Sequence, residues 1–336
     1  MSRILKVLLA GMLALFLAGA GLYGAGWYWA ERAVAMDEEQ IEYLIAPGSG
    51  VRAVAQSLNR AGIHVNAAGF LVLARLTGQD TRIKAGAYLA QRGDTPRQIL
   101  ERMARGDMVH ARITFIEGWT WPRVRATLAE NGRIRQTLEG ADDAEILRRL
   151  GLEQTSLEGL FYPDTYVFVP GTTDVEILRQ AYDALMLRLN ALWPTRDAQL
   201  RLASPYEALI LASLIEKETG HGEDRARISG VFANRLRVGM PLQTDPSVIY
   251  GMGEAYKGRI RKADLQRDTP WNTYTRPGLP PTPIAISGLA ALEAALHPER
   301  HDFFYFVARG DGTSEFSRNL DAHNRAVAKY ILGRRQ

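Results

Sequence analysis

A single membrane-spanning helix followed by an α+β ectodomain is the fold class this sequence predicts. Three observations carry it. Val7–Ala30 contains no charged residue, and as a helix it would reach about 36 Å, against a hydrocarbon core of about 30 Å. Beyond it, short runs of strand character alternate with stretches of helical spacing, punctuated by Gly and Pro. The 336 residues, 46% hydrophobic and 23% charged, suffice for sizeable cores.

Arg3 and Lys6 precede the apolar run and Trp27, Tyr28 and Trp29 end it. Positive charge on the short side places residues 1–6 in the cytoplasm, and the aromatic residues suit a membrane–water interface. Ala18-Gly19-Ala20 resembles a signal cleavage site, but the apolar run continues well past it, which favours an uncleaved anchor over residues 7–30. Residues 31–38 form a polar connector. Gln40–Ala46 reads as a strand ended by Pro47-Gly48, Val51–Ala61 and Asn66–Leu76 as helices, and Ile83–Ala90 as a strand. This β-α-α-β order, within residues 39–110, resembles a LysM-type module, a small fold often used to bind N-acetylhexosamine glycans. A plain spacer domain is the alternative.

Residues 111–333 form the larger part. Thr95 caps a helix that stops at Gly106, Val109–Ile116 is a strand, and Gly118-Trp119-Thr120-Trp121-Pro122 starts another helix. Residues 132–153 read as a charged helix, Phe161–Tyr166 as an aromatic turn, and Thr173–Trp193 as a long amphipathic helix. Ser204 with Glu207 makes a capping-box pattern before a helix over Pro205–Gly220, and Glu223–Val238 follows as a second helix. Residues 241–253 and 269–284 are rich in Pro, Gly, Thr and Asn and read as loops. Phe303–Ala308 and Thr313–Ser317 read as a hairpin and Asn319–Gly333 as the last helix.

Composition excludes several chemistries. Forty-one basic against 37 acidic residues leave a net charge of only +4, too small and scattered for a nucleic-acid partner. With no cysteine there are no disulfides, zinc–thiolate sites, iron–sulfur clusters, cysteine nucleophiles or acylated-cysteine anchors. His297 and His301 have i, i+4 spacing, but Pro298 spoils the helix start and no HExxH follows, so no metal is expected. Ser213 and Ser287 lack a Gly-x-Ser-x-Gly elbow. Gly251-Met252-Gly253 lacks the third glycine of a dinucleotide site and the lysine of a P-loop.

One stretch, Leu211–Ala226, carries acids behind an apolar run: Glu216, Glu218, Glu223 and Asp224. On a helix, Leu211, Leu214 and Ile215 fall within about 60° of Glu218, whereas Glu216 falls about 160° away. Glu218 is therefore the acid placed in the apolar stripe. Burial disfavours the charged form and raises a carboxyl's pKa, as a general acid for glycosidic cleavage requires. Pairing with a basic group near the helix end is the competing reading. Asp245 is a further acid in a polar segment, either functional or a turn former before Pro246.

ASLIEKETG (212–220), VFANRLRVGMPLQTDPSVIYGMG (231–253), NTYTRPGLPPTPIA (272–285) and NLDAHNR (319–325) closely resemble the YceG-like family, the membrane-anchored endolytic murein transglycosylases. The resemblance runs from about residue 40 to about 332. It implies that Glu218, the second glutamate of Glu-Lys-Glu-Thr, is catalytic. It implies cleavage of the MurNAc-β-1,4-GlcNAc bond of nascent peptidoglycan strands, leaving a 1,6-anhydro end, with neither metal nor organic cofactor. One carboxyl would serve as acid and then base, which relaxes the usual demand for a pair. Gln243, Thr244, Asp245, Asn272, Thr273, Tyr274 and Thr275 are the expected glycan-contacting rim, or else loop residues that close the fold. The resemblance also implies an inner-membrane protein with a periplasmic ectodomain, near glycan synthases, that terminates strand elongation. The rivals are a hydrolase with Asp245 as base and a non-catalytic glycan-binding scaffold.

Overall fold

The computed structural model describes residues 3–333. They form an α+β protein led by one long apolar helix and divided into two compact units. The first holds residues up to Ala111 together with Arg133–Arg135 and Val167–Thr172, and the second holds the remainder.

The first unit opens with α1 (Arg3–Ala30), of which Ile4–Ala30 is long and apolar enough to cross a membrane. A short pair, β1 (Ala35–Met36) and β3 (Ile63–His64), precedes the main elements. These are β2 (Gln40–Ile45), α2 (Val51–Arg60), α3 (Ala67–Leu76), β4 (Gly86–Gln91) and α4 (Pro96–Arg105). The alternation in Gln40–Ile45 turns Ile41, Tyr43 and Ile45 inward, as a half-buried strand requires. β2 and β4 pair antiparallel with Tyr43 opposite Tyr88, and both rings are buried. The helices close over this pair through Val54, Leu58, Phe70, Ile99, Leu100 and Met103. Local chemistry fixes their ends. Asn66 Oδ1 accepts from Gly69 N at 2.8 Å. Thr95 and Gln98 form a capping box, and Gly106 ends α4 at φ 83°, a left-handed position that favours glycine.

The second unit contains α5 (Trp121–Glu130), α6 (Asp143–Leu150), α7 (Asp174–Leu192), α8 (Pro205–Glu218), α9 (Gly222–Val238), α10 (Asp245–Met252), α11 (Lys262–Gln266) and α12 (Leu289–Leu296). It ends with the hairpin Tyr305–Ala308 and Ser314–Ser317, in which Phe306 faces Phe316, and a helix over Leu320–Val327. α8 lies at the centre. Every residue from Ala208 to Ile215 is buried, so the middle of the helix is enclosed all round, with α12 and α9 among its neighbours.

Two expectations need correction and one helix is added. Residues 132–142 are not helical; only Asp143–Leu150 is. The reason is hydrogen bonding: buried Asp174 accepts from the Thr137 and Leu138 N–H groups at 2.8 and 2.9 Å, while Arg135 N bonds Thr172 O. The apolar run Leu289–Leu296 is a core helix that the sequence reading passed over. The loop expected over 241–253 contains α10, which starts at Asp245 with Pro246 in its first turn, where neither proline nor aspartate opposes a helix.

Candidate active site

Glu218 is the last residue of α8. Part of the residue reaches solvent, but its carboxyl is closely surrounded by protein. Burial, reinforced by the nearby Asp245 charge and opposed by a hydrogen bond from Thr244, pushes the Glu218 pKa up to about 7. The carboxyl is thus protonated over a useful part of the neutral range.

The segments that surround it are fixed to each other before they meet it. Gln243 N donates to Thr273 O at 3.1 Å and Thr244 N to Thr273 Oγ1 at 3.0 Å. Ser247 and Thr273 hydroxyls lie 2.9 Å apart. Tyr274 Oη donates to Asp245 Oδ1 at 2.6 Å. Thr244, 2% exposed, then turns its hydroxyl to Glu218 Oε1. The start of α10 and the 272–275 turn therefore act as one polar wall beside the acid. Gln243 takes φ 54°, an uncommon left-handed conformation for a non-glycine residue, which bends the chain into this wall.

Of the seven expected rim residues, Thr244, Asp245 and Tyr274 lie closest to the acid through these bonds, and Gln243 and Thr273 hold the wall together. Asn272 and Thr275 turn the other way. Asn272, 1% exposed, donates through Nδ2 to Arg267 O at 2.7 Å and Leu265 O at 3.1 Å. Thr275 Oγ1 donates to Asp268 Oδ1 at 3.0 Å. Both close the loop that carries Tyr274.

Arg235 was missed in the sequence. Buried on α9, it donates to Phe304 O (2.6 Å), Leu242 O (2.9 Å), Pro241 O (3.0 Å) and Gln243 Oε1 (3.2 Å). Four acceptors replace its lost hydration and tie the chain entering the wall to α9. The signal was present: Arg235 lies four residues after Val231 and seven after Ile228, inside that helix's buried stripe.

Two other acids have raised pKa values. Glu216, about 160° from Glu218 by helical spacing, is half-buried as well. Its Oε2 accepts from Gly288 N at 3.0 Å, and burial raises its pKa. Glu158, absent from the sequence reading, accepts from Trp121 N at 2.9 and 3.1 Å and is pushed up to about 7, mainly by burial. At 2% exposed it has no route to a polymer. A surface cavity of about 430 Å³ near Phe303, Arg318 and Tyr330 is lined by one acid, Glu315, already paired with Arg309. Among the described residues no group of three His, Asp or Glu side chains could hold a metal ion.

The YceG-like family profile matches residues 43–329. An endolytic murein transglycosylase of Bacillus subtilis is 31% identical over 96% of this chain and 93% of its own length. One from Streptococcus pneumoniae is 26% identical over 98% of this chain and 66% of its own length. The crystal structure of a yceG-like protein from Listeria monocytogenes superposes with a TM-score of 0.54 at 30% identity, covering 86% of this chain and all of the other.

Proposed function

Because the chain belongs to the YceG-like family, we propose that it is an endolytic murein transglycosylase with Glu218 as its acid and base. The observation that carries this reading is the closely surrounded carboxyl at the end of α8, partly open to solvent and faced by Thr244, Asp245 and Tyr274. In the first step Glu218 gives its proton to the glycosidic oxygen as the C1–O bond of MurNAc breaks and the GlcNAc end leaves. In the second the same sugar's C6 hydroxyl attacks C1, and its proton passes to the Glu218 carboxylate. The 1,6-anhydro end forms, the acid is restored and no water is consumed.

A second reading is hydrolysis, favoured by the proximity of Asp245, whose charge acts on Glu218. The bond from Tyr274 occupies one Asp245 oxygen and opposes that role. Mass spectrometry of products from defined glycan strands decides. Ends lighter by one water support transglycosylation; hydrated reducing ends overturn it. Within the same reading, α1 anchors the chain in the inner membrane, the residues that follow it are periplasmic, and the β-α-α-β portion is a LysM-like subdomain. Cutting nascent strands beside glycan synthases would end their elongation. A C-terminal reporter active only in the cytoplasm would contradict the topology.

A further inference from the structure

We propose that the outer face of α3 in the first unit is a lipid-docking surface that seats this unit on the bilayer crossed by α1. The proposal rests on the reading of α1 as a membrane anchor. α3 has two apolar faces. Phe70, Leu73 and Ala74 point into the core, while Val72 and Leu76, four residues apart and so on one side of the helix, are 54% and 70% exposed. Exposed Arg75 borders this face, but two large apolar side chains this exposed on one side of a helix mark an interaction surface.

What covers this face follows from its neighbour. A groove of about 290 Å³ runs between α3 and the last turns of α1, lined by Leu22, Tyr23, Trp27, Val72 and Leu76 among others. Leu22 to Trp29 is a rise of about 10 Å along α1, so α3 lies alongside the stretch where the span should leave the hydrocarbon. The arrangement is held rather than loosely tethered. The Trp29 ring lies so close to Gly69 that a Cβ there would come within 3.0 Å of it. Arg97 bonds Glu31 at 2.6 Å, just past the helix, and lies 6.0 Å from the Trp27 ring centroid. The exposed apolar face of α3 is therefore continuous with the lipid-facing side of α1. The chemistry that fits is the acyl chain and glycerol region of a phospholipid, with Trp27 and Tyr23 at the interface where aromatic rings are favoured.

The absence of cysteine permits single labels. The full chain, carrying an NBD fluorophore on Leu76→Cys, Leu15→Cys or Ala46→Cys, would be placed in nanodiscs of phosphatidylethanolamine and phosphatidylglycerol, with and without doxyl-labelled phosphatidylcholine. Leu15 lies within the span. Ala46 follows Ile45, which pairs with Gly86 at the opposite end of β2 from Gln40. The expected result is doxyl quenching at position 76 approaching that at position 15, with little at 46. Strong quenching at 15 with position 76 no better than 46 overturns the docking and leaves the anchor intact. Blue-shifted emission at 76 without quenching means protein, such as a second copy, covers the face, and also overturns it. Absence of quenching at 15 removes the anchor, and the docking with it.

Discussion

Glu218 and Glu158 both have pKa values raised to about 7, chiefly by burial, yet they sit in opposite kinds of surroundings. Glu158 is sealed at 2% exposure and held by the backbone N–H of Trp121, so it stabilises the start of α5. Glu218 keeps part of its surface, is held by one threonine hydroxyl, and faces a wall of polar side chains on two segments. A perturbed pKa marks a buried acid; access and a polar wall distinguish a working site from a structural one.

The sharpest way to break this comparison is to remove the proton from each acid in turn. Glu218→Gln keeps the shape but cannot protonate a leaving oxygen. We expect strand cleavage to fall about 10²–10⁴-fold or more with the fold intact. Glu158→Gln should retain most activity. Assays of both variants, with circular dichroism as the folding control, check this, and a reversed outcome exchanges the two roles.

The next effect is on stability. The Glu158 carboxyl has its ordinary value of 4.5 when unfolded and about 7 when folded. A raised folded pKa means its contribution is fully present below about pH 4.5 and is lost as pH rises through about 7, a change of about 3 kcal/mol. The melting temperature should therefore fall between pH 5 and pH 8, and fall less in Glu158→Gln. An unchanged slope in that variant would mean Glu158 is not held protonated.

Smaller effects sharpen the description of the active acid. Cleavage should decline as pH rises past about 7, when Glu218 loses its proton. The Thr244 hydroxyl lowers the Glu218 pKa, so Thr244→Val should move that decline to higher pH. A pH–rate profile reads the shift, and movement to lower pH would contradict the bond. Last, Glu216→Gln should keep most activity, because the amide oxygen can still accept from Gly288 N. A dead Glu216 variant beside an active Glu218 variant would reverse the order read along the helix.

The sequence by itself determined what depends on local spacing. The apolar run of α1, the inward alternation of Ile41, Tyr43 and Ile45, and the caps at Thr95 and Ser204 are all one-dimensional patterns, and each reappears in the fold. Tertiary structure decided what depends on segments far apart in the chain. Residues 132–142 follow helix-like spacing, yet Asp174 takes the N–H groups of Thr137 and Leu138. Glu216 lies opposite Glu218 by periodicity, yet it too is half-buried, because it accepts from Gly288 N, 72 positions away. Glu158 has no periodic setting, and its bond from Trp121 N joins positions 37 apart in the chain. The wall opposite Glu218 joins residues about thirty positions apart through side-chain bonds. Spacing encodes which face a residue takes on its own element; which other element meets that face is set by packing, and no local pattern carries it.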